Sequence, residues 1–309
     1  MRLKIGTRGS RLAVAQSEWV KGRIVARHPE IQVDLVRIKT EGDRIADSPL
    51  SRVGGKGLFV KEIEDALLKG RVDLAVHSVK DIPAELPRGL CLAVFPEREE
   101  AGDAFVSSHY ETMEKLPEGA SVGTGSLRRT AQVLSLRPDL NVVPIRGNVD
   151  TRLKKMVSGG LDALILAAAG LRRLGLGDRI RTLLPPGEMI PAVGQGALGL
   201  EIRKGDDPVL DIIGFLHHRS TDLAVKAERA FLRRLGGGCQ VPVAGHAQLV
   251  NHEILLTGMV AELDGSRIIK DEIRGDMEKP GEIGTGLAER LVAAGAGEVL
   301  SRIYGEGDG

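Results

Sequence analysis

The tract Val76-His77-Ser78-Val79-Lys80-Asp81-Ile82-Pro83 puts four polar side chains, those of His77, Ser78, Lys80 and Asp81, directly after the apolar run VDLAV. The end of a buried strand is where α/β proteins carry catalytic groups. A carboxylate there can stabilise a developing cation or take part in proton transfer. Lys80 can bind an anion. The plainer role for Asp81 is to cap a turn ahead of Pro83; its position favours chemistry over capping.

Arginines recur at similar junctions. Arg8 and Arg11 flank the turn in TRGSR, and Arg128 and Arg129 open the helix after GTGS. Arg146 follows a strand in IRGN with Arg152 shortly behind, and Arg172 and Arg173 follow LAAAGL. Helix N-termini already attract anions through free N–H groups and the helix dipole. Guanidinium groups added there make bidentate carboxylate or phosphate sites. Any one of these arginines alone reads equally well as half of a surface salt bridge. Together they imply a ligand with several anionic groups, held in a cleft between two units. GTGS matches neither common nucleotide fingerprint, and the GGKG loop holding Lys56 does not fit a Walker motif.

The chain has two cysteines. Cys91 lies in LCLAVF, where a thiol is expected to serve as a small buried hydrophobe. Cys239 lies in LGGGCQVPV, on permissive backbone with little to bury it. Composition alone makes it a free thiol with an open redox or reactive role. Two cysteines far apart give neither a disulfide framework nor a CxxC metal pair, and the adjacent His217 and His218 point apart on a helix, so no metal site is expected.

The elements that must position these groups fall into three parts. The 309 residues alternate strand and helix signals over the first two thirds. Strands are expected at 3–6, 31–38, 72–76 and 90–95, and again at 103–107, 122 onward, 141–145 and 161–166. Helices are expected after Ser10, at 59–68, 127–136, 150–156 and 167–174. In the first of these helices Leu12, Ala15, Trp19 and Val20 form the apolar face. The pattern predicts two successive α/β units, with a strand at 195–202 crossing back into the first. The last third predicts helices at 208–216 and 222–235, then strands at 247–250, 254–262 and 267–274 with an Asp264-Gly265 turn, then a helix at 283–293 and one more near the end. That is an α+β module with an antiparallel sheet.

Aromatic residues are only 3%, which argues against base stacking, and the formal net charge of +1 gives no bulk attraction to nucleic acid or anionic membrane. The start MRLKI passes into polar residues without an apolar h-region, and no run of apolar residues is long enough to span a bilayer. The cytoplasm is the expected compartment.

The motifs TRGS, VGGKGLFVKE, DLAVHSVKDIP, GTGSLRR, IRGNVDTRL, LAAAGLRRLG, PAVGQGALG and GGGCQVPVAGHA occur in that order over nearly the whole length. With them the chain resembles the porphobilinogen deaminase (hydroxymethylbilane synthase) family. The resemblance implies an α/β fold: two periplasmic-binding-protein-like domains around a cleft, residues 1–98 with 196–216 and residues 99–195, plus an α+β domain at 217–309. It implies a dipyrromethane cofactor joined by a thioether to Cys239. Four porphobilinogen molecules would be condensed on it head to tail with loss of ammonia, and water would release the linear hydroxymethylbilane. Asp81 is similar to the family's catalytic aspartate. Lys80, Ser126, Arg128, Arg129, Arg146, Gly147 and Arg152 match cofactor-binding positions. Arg8, Ser10, Arg173, Lys56 and Phe59 match substrate-side positions, the last two in a loop near the cleft. This chain reads TRGSR where some relatives read TRQSP, so Arg11 is expected to be solvated. The resemblance further implies a monomer that passes its product to uroporphyrinogen-III synthase. Two other functions compete: a non-catalytic two-lobed binding protein for a polyanionic small molecule, and a phosphate-ligand transferase using GTGS as its anion turn.

Overall fold

A computed structural model describes residues 2–41, 60–236 and 241–305. The first sheet has five strands in the order β2-β1-β3-β10-β4, where β1 is Arg2–Arg8, β2 Gln32–Ile38, β3 Leu74–Ser78, β4 Leu90–Val94 and β10 Leu198–Arg203. β1 runs parallel to β2 and β3, whereas β10 is antiparallel to both neighbours. The second sheet repeats the plan as β7-β6-β8-β5-β9, with β5 Asp103–Ser107, β6 Ser121–Thr124, β7 Asn141–Pro144, β8 Ala163–Ala167 and β9 Thr182–Leu184. Here β5 is the antiparallel fourth strand. In both sheets that strand is the first one formed after the chain crosses from the other unit, so the chain passes between the units twice.

The parallel strands need crossover helices on their faces, and the sequence provides them. Helix α1, Arg11–Arg27, starts where the Ser10 Oγ accepts the Ala13 N–H at 3.3 Å. It buries Val20 and Ile24 against Leu3, Ile5, Leu74 and Leu200. Trp19, placed on that apolar face by spacing, is instead 47% exposed, because Gln16, Ser17, Val20 and Ile24 form the inner face. Helix α2, Lys61–Leu68, covers the other side of the same sheet through Ile63, Ala66 and Leu67. In the second unit α3, Leu127–Leu136, α4, Val149–Ser158, and α5, Ala168–Arg173, follow β6, β7 and β8.

After α6, Asp207–Ile213, comes the long α7, Arg219–Arg234. It packs on an antiparallel sheet of β11, Val243–Val250, β12, Glu253–Ala261, and β13, Ile268–Asp276. Phe231 on α7 is fully buried there, and helices α8, Pro280–Leu291, and α9, Gly297–Gly305, close the module. The turn at Gly265 (φ +73°) rests on α3: a Cβ at that position would stand 2.5 Å from the Ala131 carbonyl oxygen. The third module is thereby packed against the second.

Residues 195–197 are not part of the returning strand, which starts at Leu198; Ala197 already spends its N–H on Gly194 O and its carbonyl on Val79 N–H. The short edge strand β9 went unforeseen, since three residues carry too little alternation to show. No described helix is long and apolar enough to cross a membrane.

Candidate active site

β3 ends at Ser78 and turns into a 3-10 segment, Val79–Asp81. The Val79 N–H donates to Ala197 O at 3.0 Å, and Arg229 of α7 donates through Nη2 to Pro83 O (2.8 Å) and Ala84 O (3.0 Å). The Asp81 turn is thus gripped by the crossover on one side and the third module on the other. A cavity of about 60 Å³ opens beside it, lined by Arg8, Ser10, Gln16, His77, Ser78 and Asp81 among others. Gln16 Nε2 donates to Ser78 Oγ at 2.9 Å. The His77 ring turns to Glu201, Nε2 to Oε2 at 2.9 Å, both side chains buried. Near them burial, then the Glu201 charge, pushes Glu64 up to about 7.

In the second unit Arg128 and Arg129 are only 3% and 5% exposed and converge on the fully buried Asp103. Arg128 Nη1 reaches Oδ2 at 2.8 Å; Arg129 Nε and Nη2 reach Oδ1 at 3.0 and 2.7 Å. Burial alone would raise the Asp103 pKa, but the two guanidinium charges and their hydrogen bonds hold it well below the usual carboxylate range. Both arginines also donate to main-chain carbonyls, at Ile190 and Ile165. A ligand carboxylate reaching them would share them with Asp103.

Arg152 is placed differently. Asn148 caps α4 by accepting the Thr151 N–H at 2.9 Å, and Arg152 Nε donates to Gly147 O at 2.8 Å. Gly147 sits at φ +110°, and a Cβ there would collide with Thr151 at 2.7 Å. Burial, followed by repulsion from Arg129 and Arg146, lowers Arg152 to about 10, with the Asp81 charge acting the other way. Asp81, which follows a strand of the first sheet, is thus near enough to Arg152 of the second unit to act on its charge. Lys80 is lowered to about 8 by burial and then by Arg129, and its Nζ lies 3.4 Å from Gln195 Oε1. Arg173 Nη2 donates to Gly196 O at 2.7 Å, and burial brings it to about 10. Ser126 is the N-cap residue of α3, without a side-chain cap bond. Arg11 is exposed and reaches Asp150 Oδ1 at 2.7 Å, so it bridges the two units instead of standing in solvent alone. Cys91 is half-buried beside the first core, and burial pushes its thiol up. Lys56, Phe59 and Cys239 lie outside the described residues.

The model described as "Porphobilinogen deaminase, dipyromethane cofactor binding domain" matches residues 3–211, and "Porphobilinogen deaminase, C-terminal domain" matches residues 223–293. The chain belongs to the porphobilinogen deaminase family. A porphobilinogen deaminase of Nitratidesulfovibrio vulgaris (strain DSM 19637 / Miyazaki F) is 53% identical over 99% of this chain and 98% of its own. One of Geobacter metallireducens (strain ATCC 53774 / DSM 7210 / GS-15) is 52% identical over 98% and 95%. Among solved structures the methionine-binding protein MetQ aligns at a TM-score of 0.44 with 12% identity, over 70% of this chain and 88% of that one. Membership makes this porphobilinogen deaminase homologue an enzyme, a transferase of tetrapyrrole biosynthesis.

Sequence spacing missed two residues that hold the candidate site together. Asp103 had a signal: an acid opening an otherwise apolar strand, where β propensity disfavours it, must have buried partners. Glu228 had less. It accepts from Arg98 Nη1 at 2.6 Å, Gly194 N at 2.6 Å and Ala247 N at 2.8 Å, joining the crossover, α7 and β11. Three contacts that far apart in sequence leave no local pattern.

Proposed function

We propose that this chain is a hydroxymethylbilane synthase whose catalytic residue is Asp81, acting in a cleft between the unit formed by residues 1–98 with 196–216 and the unit formed by 99–195, with 217–309 as a third, cofactor-carrying domain. The observation that carries the proposal is the Asp81 turn: a carboxylate held at the end of β3, beside the cavity of Arg8 and Ser10, and facing the positive field of Arg152. When bound, a dipyrromethane joined by a thioether to Cys239 would supply the free pyrrole α-carbon on which four porphobilinogen units are added before water releases the product.

The residues fit such a group. Lys80 and Arg152 are cations depressed by burial and by neighbouring positive charge, so a carboxylate between them would relieve both. Ser126, Arg128, Arg129, Arg146 and Gly147 complete that side. Arg8, Ser10 and Arg173 would take substrate carboxylates, with Lys56 and Phe59 assigned to the same role from the family motif. Loss of ammonia from the protonated aminomethyl group leaves the pyrrole as an electron-poor cation, to which the free α-carbon of the chain would bond before losing its proton. Asp81 stabilises that cation and accepts hydrogen bonds from pyrrole N–H groups, which fixes the ring to be attacked. The charge placement supports this division: cations bind the acid side chains, while one anion faces the reacting carbon. We place the enzyme in the cytoplasm as a monomer whose product goes to uroporphyrinogen-III synthase.

Asp81→Asn tests the reading. Its melting temperature should match wild type, and its turnover of porphobilinogen should fall by ~10²–10³-fold or more. Near-normal product from the purified, primer-loaded variant would sink the role. Intact mass separates the non-catalytic alternative, since a pure binding protein carries no covalent increment and Cys239→Ser would leave its mass otherwise unchanged.

A further inference from the structure

Gln195 is wholly buried in the crossover that returns the chain from the second sheet to the first. Its neighbours Gly194 and Gly196 adopt φ +72° and +85°. A Cβ at Gly194 would stand 2.3 Å from Val79 Cγ1, and one at Gly196 would stand 2.3 Å from Glu99 O. The main chain is therefore pinched between the Asp81 turn and the outgoing crossover, with the Gln195 side chain aimed into the space between units.

Every hydrogen-bonding valence of that amide is used. Nε2 donates to Ala101 O at 2.7 Å and Asp103 Oδ1 at 2.8 Å. Oε1 accepts from Arg129 Nη2 at 3.2 Å and Lys80 Nζ at 3.4 Å. A primary amide offers two donors and two lone pairs, and here two acceptors lie on one side and two cations on the other. The partners fix which end is nitrogen. Asparagine is too short for this span, glutamate would set a carboxylate against Asp103, and methionine would supply no donor and only a weak thioether acceptor. The Gln195 carbonyl in turn accepts from Arg98 Nε at 2.8 Å, the arginine that holds Glu228 of α7.

We propose that Gln195 is a positioning residue: its amide holds Lys80 of the first unit and Arg129 of the second in one arrangement about Asp103, and so sets the cation geometry on which the primer is bound. The inference rests on the function proposed above. A carbonyl oxygen facing an ammonium favours its charged form, so withdrawing it lets Lys80 lose its proton at lower pH.

The experiment compares wild type with Gln195→Met and Gln195→Asn, each checked for folding by its melting curve. The Lys80 13Cε signal is followed by NMR titration in the purified proteins, and porphobilinogen consumption is followed against pH. The Lys80 midpoint and the alkaline limb of the rate profile should both move down by about one unit. kcat at pH 8 should fall about fivefold, with a smaller change in KM. A Lys80 midpoint unmoved in the folded variants overturns the proposal, even where the rate falls, since loss of rate alone marks a purely structural role. Should methionine prevent folding, the asparagine variant decides by the same midpoint. A wild-type protein that carries no mass increment and consumes no porphobilinogen refutes the parent reading instead, whatever the Lys80 midpoint does.

Discussion

The second unit holds two groups of arginines that look alike in sequence and differ in physics. Arg128 and Arg129 share one buried carboxylate, that of Asp103, and also donate to main-chain carbonyls. Arg152 has one main-chain carbonyl partner at its Nε and feels repulsion from Arg129 and Arg146. Both groups sit at a strand-to-helix junction. The first is a buried ion-pair network; the second is a cation buried at a cost, which the proposed function would offset with a ligand carboxylate. A buried ion pair and a half-relieved cation therefore respond oppositely to mutation.

Asp103→Asn should give the largest effect on this contrast. It leaves two buried guanidinium groups without their carboxylate and should destabilise the protein by about 3–5 kcal/mol, read by denaturant unfolding. An unfolding midpoint equal to wild type would break the distinction. Arg152→Leu should do the reverse. Stability should hold or rise slightly, while mass spectrometry of the loaded enzyme shows additions stalling at one chain length; Arg146→Leu should stall as well. An unchanged ladder would count against both arginines.

Glu64 sharpens the same point from the side of the acids. It is a buried carboxylate pushed up to about 7 by burial and by Glu201, without the pair of arginines that holds Asp103 down. Its folded value lies above its unfolded one, so its contribution is fully present below about pH 4.5 and is lost as pH rises through 7. Glu64→Gln should raise the melting temperature by roughly 2–4 °C at pH 8, and by less at pH 5. An equal gain at both values would mean that Glu64 is not the titrating group. The smallest effect belongs to Arg11→Ala. The exposed Arg11–Asp150 pair should contribute under about 1 kcal/mol, and less in high salt.

Much of this was open to reading from residue patterns, and the exceptions have a common cause. Alternating strand and helix periods gave the repeated units, and Ser10 and the Asp264-Gly265 turn sit where local chemistry puts caps and turns. Positions at junctions also found Asp81, Lys80 and the arginines as candidates. Their division into paired and poised groups was not visible, because it depends on Asp103 lying 25 residues before Arg128 in the chain and 2.8 Å away in space. Trp19 failed for a related reason: helical spacing gives a face, but the neighbouring elements decide which face is inner. Gln195 was read as a strand residue, since nothing local reveals that its two flanking glycines are left-handed.

The late return of the chain to the first sheet has a consequence for how the protein is made. Every strand of the second sheet lies between Asp103 and Leu184, whereas the first sheet lacks its antiparallel fourth strand until Arg203 has been synthesised. Domains on the ribosome generally fold from the N-terminus onward. Here the order should invert, with the N-terminal strands waiting while the middle of the protein closes first. Limited proteolysis of nascent chains arrested before and after residue 203 should show protection of the second sheet preceding that of the first.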